Sequence, residues 1–174
     1  MERHAGFYAL FTVAAVIALV VMRSIDEDGN FTVGRDYRAE APAVIVAPDG
    51  QRTLQIKADP GGSFITEATV NGADMTVLVD TGASFFTLRQ SDAERAGIRV
   101  FESDFRNRFS TANGTVLAAR SEANVVDLGS GRLEDVTIFV LPDDKLEVNL
   151  LGMNVLRRFG SVSFDRDGLT ISIE

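Results

Sequence analysis

Residues 77–83 read Val77-Leu78-Val79-Asp80-Thr81-Gly82-Ala83. The run Met75-Thr76-Val77-Leu78-Val79 has the composition of a buried strand, and a carboxylate at its end is followed at once by a hydroxyl, a glycine and a small residue. Each residue type has its own use. Asp80 can take up or release a proton, Thr81 can brace the loop, and Gly82 with Ala83 lets backbone amides and a second molecule approach closely. Taken alone, Asp80 to Gly82 is also an ordinary turn, because Asp, Thr and Gly all favour turns. The upstream context favours the chemical reading: Asn71-Gly72 follows the strand-like Phe64 to Val70 and marks a hairpin whose second strand delivers Asp80.

Composition narrows the chemistry around that carboxylate. The chain has 174 residues, no cysteine, one histidine and a formal net charge of -8, which permits one domain with a sizeable core and argues against nucleic acid as a partner. Without cysteine there is no disulfide, thiolate nucleophile or cysteine zinc site. The sole histidine, His4, lies at the N-terminus beside an apolar segment, which excludes a Ser-His-Asp triad. The two lysines, Lys57 and Lys145, leave a Ser-Lys mechanism without a supporting motif. Asp143-Asp144 lacks the ordered ligand spacing of a metal site. Carboxylate chemistry remains, with no metal and no cofactor implied.

Residues Ala5 to Met22 form an uncharged apolar run of eighteen, about 27 Å long as a helix and enough to span a bilayer with snorkelling flanks. A single-pass membrane anchor is therefore expected over 1–23. A signal peptide is the competing reading, but Val20-Val21-Met22-Arg23 stands where a small-residue cleavage site would follow. Arg3 and Arg23 flank the run on both sides. The short N-terminal tail and Asp26-Glu27-Asp28 favour translocation of the C-terminal part to the periplasmic side of a bacterial inner membrane, or to the cell exterior. Residues 24–52 are polar, then rich in Ala and Pro, as in a linker, with Val44-Ile45-Val46 able to pair locally.

The folded domain is expected over 53–174. Strands are predicted at 53–57, 64–70, 74–79, 85–88, 105–111, 115–128, 133–141 and 169–173, most of them bounded by Gly, Asn, Asp or Pro. Ser91-Asp92-Ala93-Glu94 has the pattern of a capping box opening a helix that Gly97 closes. Met153, Leu156 and Phe159, at three-residue spacing, predict a second helix over 153–159.

Two further segments follow Asp80-Thr81-Gly82-Ala83 in an informative order. Residues 108–117 read as a hairpin with Asn113-Gly114 at its tip, and Leu150-Leu151-Gly152 precedes the second helix. With these in place, residues 53–174 resemble the retropepsin-like single-domain aspartic proteases, and most of all their bacterial membrane-anchored members. The resemblance implies an all-β closed barrel with two short helices and an active site at a C2 dimer interface. It implies Asp80 as the catalytic residue, with Thr81, Gly82 and Ala83 supporting the loop and Ala112, Asn113 and Gly114 in a flap over a polypeptide substrate. Leu150, Leu151 and Gly152 match the family's two apolar residues plus glycine. The resemblance also implies an internal repeat, in which Asn71-Gly72, Asp80-Thr81-Gly82 and the Ser91 helix parallel Asn113-Gly114, Leu150-Leu151-Gly152 and the Met153 helix.

Members of the retroviral type often carry an acidic residue four positions after the catalytic Asp and an Arg after the second glycine. This chain has Ser84 and Met153 there, so an ion pair is lost without orphaning either charge. Asn154 keeps the polar residue of the next position.

No second Asp-Thr-Gly or Asp-Ser-Gly occurs, so a carboxylate pair requires a homodimer, with Asp80 and its symmetry mate around one water. Two ionised carboxylates about 4 Å apart repel by roughly 4 kcal/mol at an effective dielectric of 20, so the pair is expected to share one proton. One Asp then acts as base on the water while the other polarises the scissile carbonyl. From the resemblance, Thr81 hydrogen-bonds across the dimer axis. Phe85 and Phe86 read as core more than pocket lining, and Arg157-Arg158 as a solvated helix end. The alternative from another class is a non-proteolytic dimerisation or peptide-binding module on the same fold, against which the retained Asp80 speaks.

Overall fold

A computed structural model describes residues 39–59, 62–111, 114–129, 131–164 and 168–173. The apolar run 5–22 lies outside them, and no helix among the described residues is long and apolar enough to cross a membrane. Asn71 and Gly72 take φ of +48° and +87°, the left-handed pair that a tight two-residue hairpin requires. Val70 pairs Ala73 across this turn, joining β3 (Ile65–Val70) to β4 (Ala73–Val79). Alternation on β4 sends Met75, Val77 and Val79 into the core and ends on Asp80.

The larger sheet adds β5 (Phe86–Arg89), β6 (Phe105–Thr111), β7 (Gly114–Asp127), β8 (Arg132–Leu141) and β9 (Asn149–Leu151), in the order β3-β4-β9-β5-β8-β7-β6. A further pairing of β3 with β7 returns the sheet to its start, so six strands close a barrel and β6 extends from β7. Only Thr69↔Asp127 and Val70↔Val126 pair along that seam, and Asn71 lengthens it: its N–H donates to Val125 O at 2.9 Å and its Oδ1 accepts from Val125 N at 3.0 Å. The fully buried Phe86, Leu88, Val126, Ile138, Val140 and Leu151 belong to the one large core.

A second, antiparallel sheet of β1 (Ala43–Val46), β2 (Arg52–Ile56), β11 (Leu169–Ile173) and β10 (Gly160–Phe164) runs in the order β1-β2-β11-β10. It contributes Leu54, Ile56, Leu169 and Ile171 to the same core. Two short helices complete the domain: α1 (Gln90–Arg95) and α2 (Met153–Phe159). α2 buries Val155, Leu156 and Phe159, close to the expected stripe. The described residues thus adopt the expected all-β class with two short helices.

Several local expectations need correction. α1 begins at Gln90 with Arg89 as N-cap and no side-chain cap, because β5 runs straight into the helix and leaves no turn for Ser91 to cap. Ser91 instead donates from its N–H and its hydroxyl to Asp143 Oδ1, both at 3.1 Å. β9 and β10 are strands that the sequence pattern did not mark. β1 is the local pairing expected of Val44-Ile45-Val46, and Glu40 O also accepts from Thr66 Oγ1 at 2.8 Å, so paired structure begins ahead of residue 53. Arg157 and Arg158 are exposed in the last turn of α2, as expected, and the Arg158 guanidinium also donates to Glu134 O at 2.6 Å and Asp135 O at 3.2 Å, where Asp135 has φ +51°.

The internal repeat is real but pairs different segments. In the order β4-β9-β5-β8 the outer pairs are parallel and the central pair, Thr87↔Leu150, is antiparallel. This pattern equates β4 with β8, β5 with β9 and α1 with α2. The Asn71-Gly72 turn therefore corresponds to residues 128–131 rather than to Asn113-Gly114, and Leu150-Leu151 corresponds to β5 rather than to the Asp80 loop.

Candidate active site

Asp80 leaves β4 where that strand runs parallel to β9, with Val79 in register with Leu151. Its N–H donates to Leu151 O at 3.1 Å, and its carbonyl accepts from Ala83 N at 3.2 Å, closing a turn. Gly82 N donates to Asp80 Oδ1 at 2.8 Å. One carboxylate oxygen is thus oriented by the loop's own backbone, and the side chain sits half-exposed, with Thr81 and Gly82 exposed beside it. This arrangement suits a group that must be held in place yet meet an outside molecule.

The far half of the loop is bonded to the Leu150-Leu151-Gly152 segment. Ala83 O accepts from Met153 N at 2.8 Å and Ser84 O from Asn154 N at 3.1 Å, so the loop satisfies two of the orphan amides of the first turn of α2. A Cβ on Gly152 would lie 2.5 Å from the Phe85 carbonyl carbon, nearer still to its oxygen, and 2.9 Å from Ala83 O. Only hydrogen fits there. Asn154 then fastens β5 to β8: its Oδ1 accepts from Phe86 N at 2.7 Å and its Nδ2 donates to Thr137 O at 2.8 Å.

The hairpin expected as a flap is β6 with β7. Gly114 pairs with Thr111 and is the first residue of β7. Ala112 and Asn113 lie outside the described residues. Gly114 has φ +109°, a conformation that disfavours any side chain. The hairpin meets the segment after the Asp80 loop through aromatic rings: Phe109 and Phe85 both contact Phe139, with centroids 4.7 Å and 4.8 Å apart. Ala118 and Leu141 are buried in this cluster, and Val116 and Leu146 pack on it. Phe86 is fully buried core, as expected, whereas Phe85 joins this separate apolar shelf.

Asp143 and Asp144 have other duties. Asp143 accepts from the first turn of α1 and lies 3.6 Å from Arg89 Nε. Asp144 pairs with Lys145 at 2.8 Å, a hydrogen bond that holds its carboxyl below the usual carboxylate range. Among the described residues Thr66, Thr87, Asp92 and Asn149 are the buried polar ones. Sequence reasoning assigned none of them a role in the site, and Asn149 and Asp92 are 2 % and 9 % exposed. The signal for Asn149 was an amide directly ahead of an apolar pair inside an apolar segment.

Comparison with known proteins gives this geometry its class. Residues 66–158 match the family model described as "gag-polyprotein putative aspartyl protease". The crystal structure of a retropepsin-like aspartic protease from Rickettsia conorii superimposes with a TM-score of 0.62 at 30% identity, covering 76% of this chain and 95% of that one. An uncharacterised protein of Sinorhizobium, encoded in the region 5′ of cobV, is 31% identical over 163 residues, 93% of this chain and 70% of the relative. An uncharacterised protein of Rickettsia prowazekii (strain Madrid E) is 32% identical over 136 residues, and the chain spans 54% of its length. The chain belongs to the retropepsin-like aspartic proteases. It is an aspartic-type endopeptidase.

Proposed function

We propose that the protein cleaves polypeptides as a homodimer, with Asp80 of each copy supplying one half of a two-carboxylate site. The observation that carries this reading is the internal two-fold of the barrel. Counting outward from Thr87↔Leu150 in the two parallel pairings equates Leu78 with Phe139, Val79 with Val140 and Asp80 with Leu141. Leu141 is 4 % exposed and has no proton to exchange. One chain thus offers one loop-borne carboxylate where the chemistry uses two.

In the dimer the two carboxylates hold one proton between them, because charging both at about 4 Å costs roughly 4 kcal/mol at an effective dielectric of 20. The ionised Asp80 takes a proton from the bound water as it attacks the scissile carbonyl. The protonated one donates to the carbonyl oxygen, giving a gem-diol. The proton gained from water passes to the amine nitrogen as the C–N bond breaks, and a diol hydroxyl returns its proton to the carboxylate pair as the new carboxyl group forms. Thr81, exposed beside the axis, braces the loops against each other. The β6–β7 hairpin closes over the peptide, and the shelf of Phe85, Phe109 and Phe139 favours apolar substrate side chains beside the scissile bond. A peptide-library digest with the chain from residue 39 onward, run beside its Asp80→Asn variant, tests the reading; no cleavage by the parent at any concentration would sink it.

The segment 5–22 would tether this domain to a membrane, with the protease on the outer side. Support comes from its uncharged length between Arg3 and Arg23 and from the acidic 26–28 that follow. Deleting residues 1–23 is expected to move the protein from the membrane to the soluble fraction on cell fractionation. Retention of the shortened chain in the membrane fraction would contradict the tether.

A further inference from the structure

β9, the strand that holds the Asp80 loop, is only three residues long. It meets β5 through the single pair Thr87↔Leu150, so its backbone alone gives it few bonds to fix its register. Asn149, at its first position, supplies more. Its Oδ1 accepts from Arg89 N on β5 at 2.8 Å, while its Nδ2 donates to Thr76 O on β4 at 2.9 Å and to Asp92 Oδ2 on α1 at 2.9 Å. Both amide protons and the amide oxygen are used, and the side chain is almost wholly buried.

Asp92 decides which way that amide points. A carboxylate only accepts, so it selects the amide orientation with Nδ2 toward itself and Oδ1 toward Arg89 N. Its other oxygen pairs with Arg95 Nη1 at 3.0 Å, and Arg95 in turn donates to Asp74 O on β4. A chain of bonds thus runs from β4 through α1 to β9. Two residues beyond Asn149, Leu151 O receives the Asp80 N–H.

We propose that Asp92 and Asn149 are positioning residues for Asp80: the pair locks β9 between β4 and β5 and thereby sets where the Leu151 carbonyl holds the catalytic backbone. This rests on Asp80 being the catalytic carboxylate, as proposed above. Losing the carboxylate leaves a buried amide proton without its partner and lets β9 shift. A displacement on the order of 1 Å at a reacting group costs about 10²-fold in rate.

The test is steady-state kinetics of the full chain on a cleaved peptide, at enzyme concentrations where light scattering shows the variants and the parent in the same oligomeric state. Asp92→Ala is expected to lower kcat by about ten- to a hundredfold with KM within about twofold, since the substrate groove is untouched. Asp92→Asn keeps an oxygen for Asn149 and is expected to retain kcat within about threefold of the parent. Should Asp92→Ala not fold, Asp92→Glu is read in its place, because it keeps the charge but displaces the carboxylate, and the same loss of kcat is expected. Parent-like kcat in a folded Asp92→Ala or Asp92→Glu protein would overturn the proposal, as would equal losses in the Asn and Ala variants. A parent protein that cleaves nothing would instead sink the reading of Asp80 itself.

Discussion

Asp80→Asn is expected to lower kcat/KM for peptide cleavage by on the order of 10²–10⁴-fold, the usual contribution of a positioned proton-transfer group. The fold should survive. Asn matches Asp in shape, and its amide oxygen can still accept the Gly82 N–H that Asp80 Oδ1 accepts at 2.8 Å. The bonds from Asp80 N to Leu151 O and from Ala83 N to Asp80 O are backbone bonds that the substitution leaves alone. Circular dichroism and the denaturation midpoint should therefore match the parent while cleavage disappears. Equal cleavage by the two proteins would remove Asp80 from the chemistry.

Gly152→Ala is expected to damage both stability and activity. The clash is with backbone, since the new methyl would lie 2.5 Å from Phe85 C and 2.9 Å from Ala83 O, so no rotamer change relieves it. Either the loop of residues 83–85 or β9 must move. Both are committed, because Ala83 O and Ser84 O bond the first turn of α2 and Leu151 O bonds Asp80. Overpacking of this kind costs about 1–3 kcal/mol, and more where backbone must shift. Because the displaced loop carries Asp80, kcat should fall along with the denaturant midpoint. Stability within about 0.5 kcal/mol of the parent, measured by urea unfolding, would show the contact to be looser than described.

The parts of this fold that were legible in the sequence are those governed by neighbours along the chain. Asn71-Gly72 announced a left-handed turn, and φ of +48° and +87° follow from it. Val77 to Gly82 announced a buried strand ending on a carboxylate. Leu156 and Phe159 announced the buried face of α2. What escaped depended on pairing between distant segments. β9 has three residues, too few for alternation to register, and it is a strand because β4 and β5 flank it. Ser91-Asp92-Ala93-Glu94 carries the letters of a capping box, yet the preceding strand already occupies the cap position, and Asp92 turns inward to Asn149. The internal repeat was misaligned because two Asn-Gly turns look alike in sequence, whereas strand order equates β4 with β8. Ala112 and Asn113 lie outside the described residues, and Gly114 pairs with Thr111.

Specific activity followed across a dilution series, with molecular mass measured by light scattering on the same samples, tests the shared two-chain site most directly. Below the dimer dissociation constant, active dimer grows as the square of monomer concentration, so the rate should rise quadratically with enzyme and become linear above it. The absence of a charged pair at Ser84 and Met153 makes the quadratic regime reachable. A covalently linked pair with one intact copy and one Asp80→Asn copy should fold and yet be nearly inactive, while the linked pair of intact copies stays active at every dilution. An active species with the mass of one chain, and a rate linear in enzyme throughout, would contradict the shared site.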